Sequence, residues 1–277
     1  MRDPRLDLLA LHLEAGVDEI IAENPSQKRA TKEAQLPRKS LPSTAIDSGQ
    51  TAKPQPSAEG IAPTKAAPKA AKISPSAQAA HAQAMAAQNL EELQKALLAF
   101  EGCDLKKTAM NTVFADGNSK APLMFIGEAP GADEDRQGKP FVGLSGQLLD
   151  RMIAAIGRDR TSVYISNVIP WRPAGNRQPT PAEIAQCLPF IRRHIEIVQP
   201  KVIVLLGGTA VKAMLETNEG ITRLRGRFVN YTSPGLDAPI ATVATFHPAF
   251  LLRSPGQKRY AWRDFLMIKE RLTNLSA

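Results

Sequence analysis

No aromatic residue occurs before position 100: all fourteen Phe, Trp and Tyr residues lie at or after Phe100. A segment without aromatics buries little apolar surface, so the core belongs to the C-terminal two-thirds of the 277-residue chain. Cysteine is almost as scarce. The two present, Cys103 and Cys187, exclude a disulfide framework and fit a reducing compartment. No apolar run is long enough to span a bilayer and no signal-peptide pattern is present. The expectation is a soluble, cytoplasmic protein of one or two domains. Acidic residues are in the minority, giving a formal charge of +8. Between Asn24 and Ala80, nine Lys/Arg face three Asp/Glu, so this stretch carries +6 and the remainder only +2. A basic balance suggests a polyanionic partner. The folded part must therefore draw affinity for phosphate from local placement rather than bulk charge.

Three regions follow from the patterning. Leu6, Leu9, Leu13, Val17, Ile20 and Ile21 have helical spacing, weakened by Gly16, and predict a short amphipathic helix within residues 1–23. That helix reads equally as a surface element or as a docking element for a protein partner. Residues 24–85 are rich in Ala, Pro, Lys, Ser and Gln, with too few large apolar groups to offset ordering entropy, and predict a disordered basic linker. Residues 86–277 form the folded domain. It opens with an amphipathic helix, NLEELQKALLAF, and then alternates strands (121–127, 162–168, 201–206, 239–245) with helices (144–156, 181–198, 208–216, 257–272). Thr180, Pro181 and Glu183 mark the start of the 181 helix as cap, first position and capping box. The alternation predicts an α/β fold: three layers, α/β/α, around a four-stranded, mainly parallel sheet.

Each predicted strand runs into a loop that carries chemistry. The loops hold Glu128-Ala129-Pro130-Gly131, Asn167, Gly207-Gly208 and Phe246-His247-Pro248. In an open parallel sheet, ligands sit outside the carboxyl ends of the strands. A carboxylate, an amide, a glycine pair and a histidine converge there from four places in the chain. That describes a site.

Three ordered blocks, GEAPGADEDRQGKPFVGLSGQLLD, VYISNVIPWRPAGNRQPTPAEI and FHPAFLLRSP, resemble the family 4 uracil-DNA glycosylases, including related domains described as phage DNA-polymerase-like. The resemblance runs from about Phe100 to the C-terminus and implies a uracil-DNA glycosylase-like fold. It also implies an iron–sulfur cluster on four cysteines. Here Cys103 and Cys187 match the second and fourth, while Phe100 and Trp171 stand at the first and third. A cluster of this kind needs about four thiolates, so none is expected, and Phe100 and Trp171 are expected to fill the vacated volume.

The resemblance implies a DNA-repair hydrolase that cleaves the bond between uracil and the sugar C1′, leaving an abasic site. Such chemistry needs donors aimed at the uracil carbonyls, water near C1′ and a pocket for a flipped base. By resemblance, His247 donates to a uracil carbonyl and stabilises the leaving anion. Asn167 reads the base edge, because one acceptor beside one donor fits uracil and mismatches cytosine. Phe141 stacks on the extruded base. Glu128 is the candidate for positioning water, with Glu134 close to the uracil edge and the Ala129 and Gly131 amides facing base or phosphate. Asn176 is a further substrate-binding candidate. Phe250-Leu251-Leu252-Arg253 resembles an intercalation loop, with Leu251 and Leu252 as the wedge. Arg253, Lys258, Arg259, Arg177, Arg223, Arg225 and Arg227 are phosphate candidates.

The expected partner is uracil-containing DNA, single- or double-stranded, bound by a monomer. Two other functions compete. A covalent uracil trap would need a His in an inserted basic loop, and Pro173–Gln178 has neither. A catalytically weak glycosylase-fold module, tethered to a replication or repair partner, is the main alternative. Against it, Glu128, Phe141, Asn167 and His247 are all present.

Overall fold

The computed structural model describes residues 74–275. The expected helix within residues 1–23 and the expected linker up to residue 73 lie outside the described residues. The first described helix, α1 (Pro75–Ala86), corrects the linker boundary at 85. Ser74 caps it, its hydroxyl accepting from the Ala77 N–H, and Pro75 takes the first turn, where no N–H is needed. Its buried residues are Ala77, Ala80 and Ala84, one face of a helix. These small side chains let it lie against the long helix of residues 181–198. Gln186 reaches Ser76 at 3.1 Å, and Arg193 donates to the Ala87 carbonyl at 2.9 and 3.0 Å.

The remaining elements follow in order: α2 (Leu90–Ala99), α3 (Leu105–Thr108), β1 (Asp116–Gly117), β2 (Leu123–Gly127), α4 (Ala132–Gln137), α5 (Leu144–Ala155), β3 (Tyr164–Asn167), α6 (Pro181–Val198), β4 (Val202–Leu206), α7 (Gly208–Leu215), α8 (Ile221–Leu224), β5 (Phe228–Tyr231), β6 (Ile240–Thr245), α9 (Pro248–Arg253) and α10 (Lys258–Asn274). The capping box of α6 forms as its sequence dictates, with Thr180 Oγ1 accepting from Glu183 N–H at 3.2 Å and Glu183 Oε2 accepting from Thr180 N–H at 2.7 Å.

The sheet has six strands in the order β1-β3-β2-β4-β6-β5, not four. The four expected strands are its parallel centre, and β1 and β5 add antiparallel edges. Alternate residues of each central strand serve opposite faces. Leu123, Phe125, Val202 and Val204 pack on α5 and α10 through Leu149, Ile153, Phe265 and Ile268. Met124, Ile126, Ile203 and Leu205 face α2, α6 and α7 through Leu93, Leu97, Ile195 and Val211. Covering both faces explains why these strands read as continuous apolar runs. The chain leaves β2 for β3 on one side and then crosses to β4 on the other. The carboxyl end of β2 is therefore a topological switch point.

Candidate active site

Register brings the expected residues to one edge. Gly127, the last residue of β2, pairs with Asn167, the last of β3, and Leu206 pairs with Thr245 on the other side. The ladder continues past the strand ends, with Val168 N–H on the Gly127 carbonyl and Ile169 N–H on the Glu128 carbonyl. Gly127 has a specific role. A Cβ there would lie 2.6 Å from Cζ of Phe141 and would also strike the Asn167 amide oxygen. Only glycine lets the ring and the amide meet above the strand end.

Asn167 is 5 % exposed and its Oδ1 is buried without a hydrogen-bond partner. An acceptor left so costs roughly 1–3 kcal/mol, which a donor on a ligand would recover. Phe141, also buried, stands against His247 with ring centroids 5.5 Å apart and planes inclined by 33°. Its φ of 54° is left-handed, uncommon for a bulky side chain.

His247 ends the loop after β6 and caps α9, its Nδ1 accepting from the Ala249 N–H at 3.1 Å. The neutral ring therefore carries its proton on Nε2, leaving that N–H as a free donor. The residue is partly buried by surface area, but its ring is crowded by Phe141 and by Gly207. Burial, and secondarily the charge of Arg253, push its pKa down to about 4 against the opposing pull of Glu134. Gly207, at φ +91°, makes room: a Cβ there would sit 3.0 Å from the His247 Cβ.

The carboxylates divide by environment. Glu128 is half-buried, and its side chain has no hydrogen bond or ion pair within the described residues. Glu134, expected close to the uracil edge, is buried and accepts from backbone amides. Its Oε1 accepts from Val142 and Gly143 N–H, each at 2.9 Å, and its Oε2 from Gly131 N–H at 3.1 Å. It fastens the turn after β2 to the Phe141 loop, and the Gly131 amide expected to face a ligand is used here. Ala129 is half-buried in the same turn.

Two expected DNA contacts, Leu251 and Arg225, are corrected. In α9, Leu251 is 1 % exposed and packs with Leu148, Phe246 and Ala261, whereas Leu252 is 40 % exposed. Adjacent residues of a helix point about 100° apart, so only Leu252 can serve as wedge. Arg253 beside it is exposed and forms no ion pair among the described residues. Arg225 is not a phosphate ligand. It pairs with fully buried Asp264 at 2.6 and 3.1 Å and lies over the rings of Phe246 and Tyr260. Arg177 is held by Glu183 at 2.5 and 2.9 Å, and this pairing draws the Glu183 pKa down to about 2. Asn176 is exposed and accepts from Arg172 Nε at 2.7 Å. The sequence reading missed Arg160, which grips the Phe141 loop and whose position in a polar turn carries no motif.

The residues matching the cluster ligands form a plug. Phe100 and Trp171, each 1 % exposed, stack at 6.5 Å, and Phe190 joins Phe100 at 5.2 Å. Trp171 Nε1–H donates to Thr112 Oγ1 at 2.9 Å. Cys103 and Cys187 are buried free thiols hydrogen-bonded to each other, and that bond together with burial holds the Cys187 thiol well above its ordinary pKa. This donor set does not fit a four-thiolate cluster, and no group of three or more His, Cys, Asp or Glu placed to hold a metal exists among the described residues.

A doubly covered, mainly parallel sheet thus gathers a glycine-rich turn, a buried aromatic, an amide with an unpaired oxygen and a histidine at its switch point. The family model for the uracil DNA glycosylase superfamily matches residues 114–267. The chain is 38% identical over 187 residues to the type-4 uracil-DNA glycosylase of Archaeoglobus fulgidus, covering 66% of this chain and 93% of that protein. It is 39% identical over 191 residues to that of Saccharolobus solfataricus (67% and 88%), and 40% identical over 153 residues to that of Thermotoga maritima (55% and 77%). The chain belongs to the uracil-DNA glycosylase superfamily, among the type-4 proteins.

Proposed function

We infer that the protein is a uracil-DNA glycosylase of base excision repair. It hydrolyses the bond between uracil and C1′ of a flipped nucleotide and leaves an abasic site. The convergence of Phe141, Asn167 and His247 around Gly127 and Gly207 carries this reading. Phe141 offers a stacking face. Asn167 presents an unpaired acceptor for the imide N–H and, beside it, a donor for a carbonyl. His247 gives its Nε2–H to the other carbonyl, where negative charge grows as the base leaves. Glu128, without a side-chain partner among the described residues, orients the water that adds to C1′ and steadies the developing positive charge on the sugar. The water supplies hydroxyl to C1′ and a proton to the departing base.

Leu252 fills the gap left by the flipped base, and Arg253 meets the adjacent phosphate. The enzyme acts as a monomer in the cytoplasm, where the basic segment 24–73 adds salt-sensitive, sequence-independent grip on DNA. It works without an iron–sulfur cluster, the two remaining cysteines being too few to hold one. No helix among the described residues is long and apolar enough to cross a membrane.

The test is direct. The full chain is incubated with a single-stranded oligonucleotide bearing one uracil, and abasic sites are cleaved with alkali. A break at uracil and none at thymine or cytosine is expected. No break at any base would leave the DNA-binding module as the better account.

A further inference from the structure

The Phe141 peptide is held in a conformation that a bulky residue adopts only when its surroundings over-determine it. The group that sets this peptide lies outside the pocket. Arg160, in the turn before β3, gives Nη2 to the Phe141 carbonyl and Nη1 to the Pro140 carbonyl, the latter at 3.2 Å. Its guanidinium is aimed by two carboxylates, Asp116 Oδ2 on Nη1 at 2.7 Å and Asp150 Oδ1 on Nε at 2.9 Å. Gly146 leaves space on the far side, since a Cβ there would collide with the Phe141 carbonyl. The following two N–H groups are fixed by Glu134. Carbonyls are thus gripped at one end of the loop and amides at the other, with Phe141 between them.

We propose that Arg160 is a positioning residue for base excision, fixing the Phe141 peptide so that the ring stands where an extruded uracil stacks. The proposal rests on the stacking role given to Phe141 above. Arg160 itself touches no substrate: four of its five N–H groups are committed to Asp116, Asp150, Pro140 and Phe141. Lysine cannot reproduce this, because a single ammonium lacks the planar fork that spans two carbonyls and two carboxylates.

A loosened ring lowers the population of the flipped state, while the bond from Ala249 N–H that aims His247 is made on another element and is kept. The loss should therefore grow with the cost of flipping, which is largest for a paired uracil and smallest in a single strand. Single-turnover excision is measured for the full chain, Arg160→Lys, Phe141→Ala and the double variant, on uracil opposite adenine and on uracil in a single strand. Lysine keeps a cation between Asp116 and Asp150, so the variant should fold. Asp150→Asn, which removes one half-exposed aiming carboxylate, is the second probe. Arg160→Lys is expected to lose ~10-fold on paired uracil and ~2-fold or less on the single strand, with Asp150→Asn following the same pattern more weakly. In the Phe141→Ala background, Arg160→Lys should add less than ~2-fold. Equal losses on both substrates, no loss, or a full multiplicative effect with Phe141→Ala would overturn the proposal. Phe141→Ala at wild-type rate on both substrates would instead sink the stacking role beneath it.

Discussion

His247 should act as a neutral donor, and the pH dependence of excision can establish this. Its pKa of about 4 lies well below the ordinary histidine value, chiefly through burial. At pH 7 only about one ring in a thousand is charged. The Nδ1 bond to Ala249 N–H fixes the proton on Nε2. Protonation would place a second N–H against that amide, breaking the cap that aims the ring and starts α9. The single-turnover rate should therefore be flat with respect to His247 from pH ~6 to ~8.5 and fall only as the pH drops through about 4. His247→Ala should slow excision by ~10²–10³, or about 2.7–4 kcal/mol, with much less effect on DNA binding, because the donated bond strengthens as the base becomes anionic.

Stability gives an independent reading of the same ring. The unfolded histidine titrates near 6.5, above the folded value of about 4. Between these values the unfolded chain binds more protons, so stability falls as pH falls, by up to about 3 kcal/mol below pH 4. Buried His194, pushed down to about 3 by burial, contributes with the same sign. The difference between wild type and His247→Ala isolates the His247 part. A rate that rises as pH drops through 6.5, or a variant stability profile parallel to wild type, would refute the neutral-donor account.

Glu134→Gln should cost about 2–4 kcal/mol in denaturant unfolding, because an amide can serve either the Val142/Gly143 pair or Gly131 but not all three donors; a loss under ~0.5 kcal/mol would remove Glu134 from the role of clamp. Asn167→Asp should abolish uracil excision or admit cytosine, since the acid changes the donor pattern read by the base, and normal uracil excision with cytosine ignored would contradict the base-reading role. Protein purified without oxygen should be folded and carry no stoichiometric iron or sulfide, whereas near four irons per chain would contradict the aromatic plug.

The central architecture was legible because both faces of the sheet are covered, which writes each strand as an apolar run ending in a functional loop. The α6 span appears in the sequence to the residue, since Thr180, Pro181 and Glu183 spell its start. Helix α1 was not legible, because its packing face is alanine and lacks the large apolar groups that separate a helix from a linker. The edge strands β1 and β5 were missed for a related reason: two and four residues, partly exposed, give too short an alternation to stand out. Motif order marked Asn167, Phe141 and His247, which the fold brings together at the strand ends. Partners fixed by tertiary structure stayed hidden. Arg225 meets Asp264 across 39 residues, and the donors to Glu134 are backbone amides that no side-chain pattern betrays.

The cluster corner and the Phe141 loop are supported by different cores, whereas Ala129 and Val168, next to Glu128 and Asn167, share the core of Trp171. Phe100, Trp171, Cys103 and Cys187 belong to the core beneath α1, α2 and α6. Phe141 belongs to the opposite core, with Leu149 and Phe265, and the loop around it is set by Glu134 and Arg160. A cluster stabilises its corner through bonds to four chain segments. An aromatic pair can do so by burial alone: two rings removing roughly 150–250 Å² each from water contribute at most about 12 kcal/mol. The Trp171 bond to Thr112 adds the directionality that burial lacks. Packing at this corner therefore leaves the Phe141 loop and its Glu134 and Arg160 clamps untouched. It does tie folding to shape, so Phe100→Ala should destabilise the domain by about 3–5 kcal/mol while the folded fraction excises uracil at the wild-type rate. A variant as stable as wild type would show that the corner does not depend on the plug, and a folded variant with slowed excision would show that the two regions are coupled.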